Sequence, residues 1–351
     1  MSDFSVCYQG GKRILGGETL YRISDGHLQY KYSPPSAVFF SWLALLRYEA
    51  AKFIWYLSEL IFLYFSLILS YKILPSKLKK KGTIIGFSLL ILAKFYAREI
   101  ELGQVNIHII LVLTLMLLAV LSHKDILAGL WWGLTLFFKP YALVFLPYFL
   151  LKRRFKLVAA GIVVAILGLF SPVVFYGFKG NIIVLKEWLT SLSRSTSPLL
   201  ATFDNASLHS FFLNILPFQK TELALILTIC ASLLIGLSFL GMMFLGKKGL
   251  KKPEVLEFAF LFILIPLLSP LGWYYNYLYS ILALILLLNY MEKFPAFLKY
   301  GLIINFIIIG VALKEILGKN AFDFYTQNSL LVINYLIVLF YLFFTRIRKY
   351  S

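Results

Sequence analysis

The sequence predicts an all-α polytopic membrane protein, and two observations carry that prediction. Of the 351 residues, 60% are hydrophobic and only 14% are charged, whereas soluble domains average roughly 25% charged residues. Apolar runs of about 15 to 22 residues recur along the whole chain, with the charges concentrated in the gaps between them. This pattern is typical of a transmembrane helix bundle in which each apolar run enters or crosses the bilayer.

Ten apolar runs are candidate spans. They lie near 52–73, 83–97, 105–122, 126–151, 156–176, 222–245, 255–268, 273–290, 299–316 and 329–345. The run 126–151 is too long for one helix and contains Pro140 and Pro147, so we expect two short helices that enter and return. Residues 34–48 indicate a further partial or re-entrant helix. We therefore expect about 10–12 spanning or re-entrant helices in a single domain of residues 1–351.

Lysine and arginine are unequally distributed between alternating gaps. One set of gaps carries 19 Lys and Arg against four acids, and the alternate set carries 11 against nine. The cation-rich set comprises 72–82, 123–125, 152–156, 246–257, 291–299 and 346–349. By the positive-inside rule this set faces the cytoplasm. The net charge of +18 therefore indicates orientation and contact with membrane lipids, and it argues against nucleic acid as a partner.

This orientation places the polar segment 1–35 outside the membrane, ahead of every candidate span. Residues 1–48 are then a first outer loop with a re-entrant helix, and 177–221 is a long outer loop. A segment like 1–35 needs an export signal. The sequence favours a leading helix upstream of Met1 over translocation by the helices that follow.

Polar residues crowd the outer-facing segments, while the cytoplasmic gaps are short and basic. Burial of polar groups at membrane depth is costly and usually marks function. Three segments besides the first loop show this concentration, namely 93–108, 194–211 and 268–277. We therefore expect the chemistry at the outer face.

These segments contain five short sequence motifs. They are "SDFSVCYQGGKRILGGETLY" followed by "YKYSPPSAVFF" (2–40), "GQVN" (103–106), "LAGLWWGLTLFFKPYALVFLPYFLLKRRFK" (127–156), "DNASLHSF" (204–211) and "LSPLGWYYNY" (268–277). Together they resemble glycosyltransferase family 87, also called the DUF2029 family, whose members use polyprenyl-phosphate sugars as mannosyl or arabinofuranosyl donors. Each motif alone is weak, but five in register make a strong resemblance.

The resemblance implies an inverting enzyme of the GT-C type in the inner (plasma) membrane, with its active site on the extracytoplasmic face. It implies a polyprenyl-phosphate donor of a hexose, most simply mannose-like, or of a pentose, and a lipid or glycan acceptor. An acid in the first outer loop of such enzymes is the general base, and the matching position is Asp3. The helix that precedes this loop in the family is missing from the sequence.

Inverting transfer also needs cations or hydrogen-bond donors at the departing phosphate. Lys139, Lys94, Arg98, Lys31 and His209 are the candidates for that role. Gln104, Asn106, Asn205 and Trp273 are candidates for contact with the donor sugar or phosphate. No cofactor or metal is expected, because the four histidines are scattered and lack carboxylates at ligand spacing.

Each charged candidate has a structural alternative. Asp3 is also compatible with a solvated terminal acid. Lys139 beside a proline in an apolar hairpin is costly to bury, but a shallow hairpin would let it snorkel to the headgroups. Lys94 and Arg98, one turn apart, are equally compatible with interface anchors. For His209, the sequence leaves contact with the donor phosphate open.

The neutral candidates also have alternatives. Gln104 and Asn106 are compatible with capping and packing of the next helix. Asn205 begins "NAS", which formally matches a glycosylation sequon. Trp273 is compatible with an aromatic belt at the membrane interface.

Two other functions share this topology. A flippase or transporter of lipid-linked sugars would also have many helices and buried cations, although such proteins often contain paired broken segments that are not evident in this sequence. A polymerase or ligase of surface polysaccharide would differ in donor and acceptor.

Overall fold

The computed structural model describes residues 2–216, 221–245 and 251–348. Parts of the predicted gaps 177–221, 246–257 and 346–349 lie outside these ranges. The chain divides into two compact units, the first formed by residues 1–66 and 98–197, the second by 67–97 and 198–351.

The described residues are predominantly helical, which confirms the all-α prediction. The first nine helices are α1 (Ser2–Leu15), α2 (Pro34–Ala44), α3 (Tyr48–Lys72), α4 (Lys81–Leu102), α5 (Asn106–Leu121), α6 (Asp125–Phe138), α7 (Phe145–Leu151), α8 (Phe155–Phe170) and α9 (Val173–Thr196). The remaining helices are α10 (Leu208–Ile215), α11 (Thr221–Phe244), α12 (Pro253–Leu268), α13 (Ile281–Tyr290), α14 (Ala296–Val311), α15 (Lys314–Gln327) and α16 (Leu330–Arg348).

Several helices have the length and apolar composition of membrane spans. Within the described ranges these are α3, α11 and α16. The count rises to six if α4 with α5, α8 with α9, and α14 with α15 each form one bent span. The α8–α9 pair bends by 93° and the α14–α15 pair by 99°. The ten predicted runs therefore do not all correspond to straight helices.

The predicted break in the run 126–151 is confirmed. Helix α6 ends at Phe138, Lys139 is extended, and a 3₁₀ turn over Pro140–Val144 leads into α7. The extended backbone follows from Pro140, because a proline disfavours the helical conformation in the residue before it.

The predicted outer loops are largely helical. Residues 2–15 form α1, and α9 continues from Val173 to Thr196 with a kink at Gly177, where φ is +66°. The predicted span 156–176 therefore ends early, at the Ser171–Pro172 break, and the segment after it folds as α9.

The predicted spans 255–268 and 273–290 belong to the core of the second unit. Nearly all of α12 is buried by protein, and so is every residue of α13. Residues 274–280, at the start of the second run, form a 3₁₀ helix. A helix that is apolar all round is compatible with a protein interior as well as with lipid. Hydropathy alone therefore could not assign these two runs.

Glycines set the closest helix packing in the first unit. A Cβ on Gly129 of α6 would lie 2.3 Å from the Leu157 carbonyl oxygen of α8, and a Cβ on Gly161 would lie 2.3 Å from the Trp132 ring. On α1, a Cβ on Gly11 would lie 2.5 Å from the carbonyl oxygen of α2 residue Phe40. Small residues let helix backbones approach in this way inside membranes.

We predict that Gly129→Leu destabilises the protein, by about 1–3 kcal/mol, because the larger side chain forces α6 and α8 apart. Thermal unfolding in detergent measures the effect. The matched control is Gly236→Leu on α11, where a Cβ would meet nothing within 4 Å. Equal melting temperatures for the two variants would contradict the packing argument.

Candidate active site

The turn between α4 and α5 is built around a buried carboxylate. After α4 ends, Gly103 adopts a φ of +70°, a conformation that favours glycine. Glu99 is fully buried and accepts hydrogen bonds from the backbone amides of Asn106 and Ile107 at 2.6 and 3.3 Å. Its other oxygen accepts from the Asn106 side-chain amide at 2.7 Å. Glu99 thus caps α5. The first backbone amides of a helix have no partner within the helix, and together with the helix dipole they favour a negative charge.

Asp3 lies in the first turn of α1 with a half-buried side chain. Its Oδ2 accepts a hydrogen bond from the Gln104 side-chain amide, and its Oδ1 accepts one from the Ser2 hydroxyl at 2.9 Å. The Tyr32 hydroxyl donates to Gln104 Oε1 at 3.0 Å. This bond orients the amide so that its NH₂ group faces Asp3.

Lys31 lies next to Tyr32 on the segment between α1 and α2, and it is half-buried. The Trp188 indole donates to its carbonyl oxygen at 3.2 Å. Burial lowers the pKa of the Lys31 ammonium, and the negative charge of Asp3 opposes that shift. The two side chains are therefore close enough to interact electrostatically.

Lys139 occupies the break between α6 and the following 3₁₀ turn. Its backbone amide donates to Thr135 O at 3.0 Å and closes the last turn of α6. The carboxylates of Glu99 and Asp3 both attract its ammonium group. Lys139 is thus placed at a helix break, and the charges of two acids act on its ammonium group.

The first unit therefore brings five of the predicted site residues together and adds Glu99. We call this set the Asp3 cluster; its members are Asp3, Lys31, Glu99, Gln104, Asn106 and Lys139. Arg98, also predicted, donates to the exposed Glu101 at 2.8 Å, and its own side chain is 38% exposed.

Asn205 and Trp273 meet in the second unit, where residues 204–206 and 272–274 form an antiparallel bridge. The Asn205 side chain is fully buried and donates to Pro270 O at 2.9 Å and to Leu200 O at 3.0 Å. Its Oδ1 accepts from the amide of Gly272 at 2.9 Å. The amide therefore braces two chain segments against each other. Its contact with a sugar stays a prediction.

His209 lies near the start of α10, whose N-terminus is capped by the Ser207 hydroxyl through the amide of Ser210 at 3.1 Å. The His209 Nδ1 atom is 3.1 Å from the Thr228 hydroxyl oxygen. Burial lowers the pKa of His209, so the imidazole is mainly uncharged near neutral pH. It would contact a phosphate as an N–H donor rather than as a cation.

Lys94 also belongs to the second unit. Its ammonium donates to Ala312 O at 2.9 Å, and it lies 5.1 Å from the Phe95 ring centroid and 5.8 Å from that of Tyr325. The bond to Ala312 O satisfies a backbone carbonyl at the end of α14. Both predicted roles of Lys94, phosphate ligand and interface anchor, stay predictions.

Glu99 and Tyr32 were not among the predicted site residues. The signal for Glu99 is an acid one turn before a glycine that ends a helix, followed by a new helix that begins at Asn106. That spacing places the carboxylate beside the new N-terminus. Tyr32 carries no comparable signal, because its role depends on the position of Gln104 in the fold.

The Asp3 cluster supplies the groups that acid–base chemistry on an anionic substrate requires. Asp3 is a half-buried carboxylate oriented by an amide, and Lys31 and Lys139 are ammonium groups within its electrostatic reach. A carboxylate of this kind can accept a proton from a hydroxyl. Neighbouring ammonium groups can stabilise a departing anion.

The apolar helices and the Asp3 cluster define a helical membrane protein with a group of polar side chains gathered in its first unit. Residues 30–270, about two thirds of the chain, match the model of glycosyltransferase family 87. The chain belongs to this family and is a glycosyltransferase. No curated protein and no solved structure matches it significantly.

The matched range covers most of the predicted site. Lys31, Gln104, Lys139 and His209 lie inside it. Asp3 precedes it, so its assignment as the base depends on the motif resemblance of the first segment and on its contact with Gln104.

We predict that Glu99→Gln lowers glycosyl transfer by about 10- to 100-fold, because Lys139 and the start of α5 lose their carboxylate partner and shift relative to Asp3. Transfer in isolated membranes measures the effect. The matched control is Glu101→Gln, two residues away on α4. The salt bridge between Glu101 and Arg98 is exposed and contributes about 0–1 kcal/mol to stability. Transfer by Glu101→Gln should therefore stay near the wild-type rate. Equal transfer rates for Glu99→Gln and Glu101→Gln would show that Glu99 has no role in the site.

We predict that Asn205→Ala lowers the stability of the second unit by about 1–3 kcal/mol, because buried backbone groups of both braced segments lose their partner. Thermal unfolding in detergent tests this. Asn328→Ala at the end of α15, where the amide makes a surface bond of 2.8 Å to Phe324 O, should leave the melting temperature nearly unchanged. A large drop in melting temperature for Asn328→Ala, with none for Asn205→Ala, would contradict the bracing role of Asn205.

Proposed function

We propose that this glycosyltransferase is an inverting enzyme of the GT-C type that uses a polyprenyl-phosphate sugar. It transfers a hexose, most simply mannose-like, or a pentose to a lipid or glycan acceptor. The observation that carries the proposal is the Asp3 carboxylate, oriented by Gln104 and placed within reach of two lysines.

The reaction is a single displacement at the anomeric carbon. Asp3 accepts the proton of the acceptor hydroxyl as the acceptor oxygen forms its bond to that carbon. The bond from the carbon to the phosphate oxygen breaks on the opposite face, and the polyprenyl phosphate departs with the electron pair. Inversion follows because attack and departure occur on opposite faces.

The departing phosphate gains negative charge as the bond breaks, and cations stabilise that charge. Lys139 and Lys31 take this role in the proposal, with Arg98 and Lys94 as further candidates. His209 would donate a hydrogen bond as a neutral imidazole. One phosphate needs no metal when ammonium groups surround it.

In this proposal Gln104 and Asn106 act mainly by positioning the charged side chains of Asp3 and Glu99. Gln104 orients Asp3, and Asn106 is bonded to Glu99. Asn205 and Trp273 are proposed to border the donor sugar, with Trp273 offering a ring face.

The proposal places the reaction on the extracytoplasmic face of the inner (plasma) membrane. Its support is the charge distribution, since the segments that hold Asp3, Gln104 and His209 are relatively poor in Lys and Arg, while the alternate gaps are rich in them. A lipid-linked donor suits this face because the isoprenoid chain stays in the bilayer as the sugar reaches the site.

We predict that Asp3→Asn lowers transfer by about 10²- to 10⁴-fold, since the amide keeps the shape but cannot accept the proton. The assay uses detergent-solubilised protein with synthetic polyprenyl-phosphate mannose and, in parallel, the corresponding arabinofuranose donor. Asp204→Asn, at an exposed acid of the second unit, is the control and should keep wild-type activity.

Full activity of Asp3→Asn would rule out Asp3 as the base. Turnover with a nucleotide sugar and none with either polyprenyl-phosphate sugar would rule out the proposed donor. Turnover in detergent also separates transfer from flipping, because a flippase needs a sealed membrane.

A further inference from the structure

An apolar groove runs between α4 and α14 in the second unit. It has a volume of about 580 Å³, within the range of roughly 300–1,000 Å³ seen for ligand pockets. Its walls are apolar side chains of both helices, including Phe87, Ile91, Ile303 and Ile307. Gly310 contributes to the floor, where a Cβ would lie 3.6 Å from Ile91 Cα. The groove therefore suits an alkyl chain.

One end of the groove is cationic. Lys79 lines it, and Lys80, Lys81, Lys293 and Lys299 lie on the same two chain segments. Glu292 is the acid among them, bonded to Lys79 at 3.2 Å and also to Lys299. The end therefore carries a net positive charge.

The lysine segment is fixed to the bundle. Asn289 Oδ1 accepts from the amide of Leu78 at 2.9 Å, and its amide group donates to Ser76 O at 2.8 Å. The Ser76 and Tyr290 hydroxyls are 2.8 Å apart. The segment that carries Lys79 is thus held at the groove mouth by buried residues of α13.

The length of the groove fits one leaflet. Its wall on α4 extends from Thr83 to Ala93, which is about 15 Å at 1.5 Å per residue. Half of a hydrocarbon core of about 30 Å has the same length. An acyl chain from a single leaflet fills this length, whereas a long polyprenyl chain exceeds it.

We propose that the α4–α14 groove is a binding site for an anionic phospholipid of the leaflet on the lysine side. One acyl chain lies along Phe87, Ile91 and Gly310, and the phosphate headgroup lies at Lys79 and its neighbouring lysines. By the charge distribution of the gaps this is the cytoplasmic leaflet. None of the residues that line the groove belongs to the Asp3 cluster, and the proposal does not depend on the proposed reaction.

The experiment measures retained lipid by native mass spectrometry after reconstitution in vesicles of equal parts phosphatidylglycerol and phosphatidylethanolamine. The wild type should release bound phosphatidylglycerol in preference to phosphatidylethanolamine. Gly310→Leu should lose retention, because its side chain fills the floor of the groove. Gly236→Leu on α11, a glycine in open space, should retain lipid as the wild type does.

The role of the cationic end of the groove is tested with two variants that change its charge in opposite directions. Lys79→Met should lower the preference for phosphatidylglycerol about fivefold, as expected for one lysine near an anionic headgroup. Glu292→Gln should raise the preference, because two ammonium groups lose their acid. Lys179→Met, at an exposed lysine of α9, is the matched control and should change nothing.

Equal retention by wild type and Gly310→Leu would overturn the site, and so would unchanged selectivity in both charge variants. With polyprenyl phosphate added to the same vesicles, its retention in place of phosphatidylglycerol would also overturn the site. If Gly310→Leu fails to fold, the charge variants still decide the outcome. Since no variant or readout uses glycosyl transfer, failure here and failure of the proposed function are distinguishable.

Discussion

The cap that Glu99 places on α5 is the interaction on which the rest of the candidate site depends. A helix that begins inside a membrane protein leaves backbone amides without helical partners, and lipid offers no water to satisfy them. Glu99 satisfies the amides of Asn106 and Ile107. The same carboxylate attracts Lys139. One buried charge therefore both permits the helix break and holds the cation.

Helix breaks recur wherever the chain gathers polar groups. The α4–α5 turn presents Gln104, the α6–α7 break presents Lys139, and the segment after α9 leads to the Asn205 bridge. Irregular backbone at membrane depth persists only where protein buries it or where it lines a cavity. Within the first unit, the short and bent helices thus allow Gln104 and Lys139 to join the Asp3 cluster.

The sequence sufficed to predict the class, the break at Lys139 and most of the Asp3 cluster, because composition, proline and short polar motifs are local signals. It could not separate Glu99 from Glu101. Both acids lie near the end of a helix with polar residues around it, and their burial depends on helix phase and on neighbours distant in the sequence. The same limit applies to α12 and α13, where core packing and lipid contact both select apolar residues.

The two carboxylates of the Asp3 cluster differ in burial and in hydrogen bonding. Glu99 is fully buried and accepts three hydrogen bonds from α5, which uses most of the roughly four lone-pair sites of a carboxylate. Asp3 is half-buried and is oriented mainly by Gln104. A hydroxyl can therefore approach Asp3 more readily than Glu99, which is fully buried and has most of its lone pairs engaged. Paired acids in different surroundings commonly take different roles, and this contrast supports the proposed proton transfer at Asp3 and the proposed positioning role of Glu99.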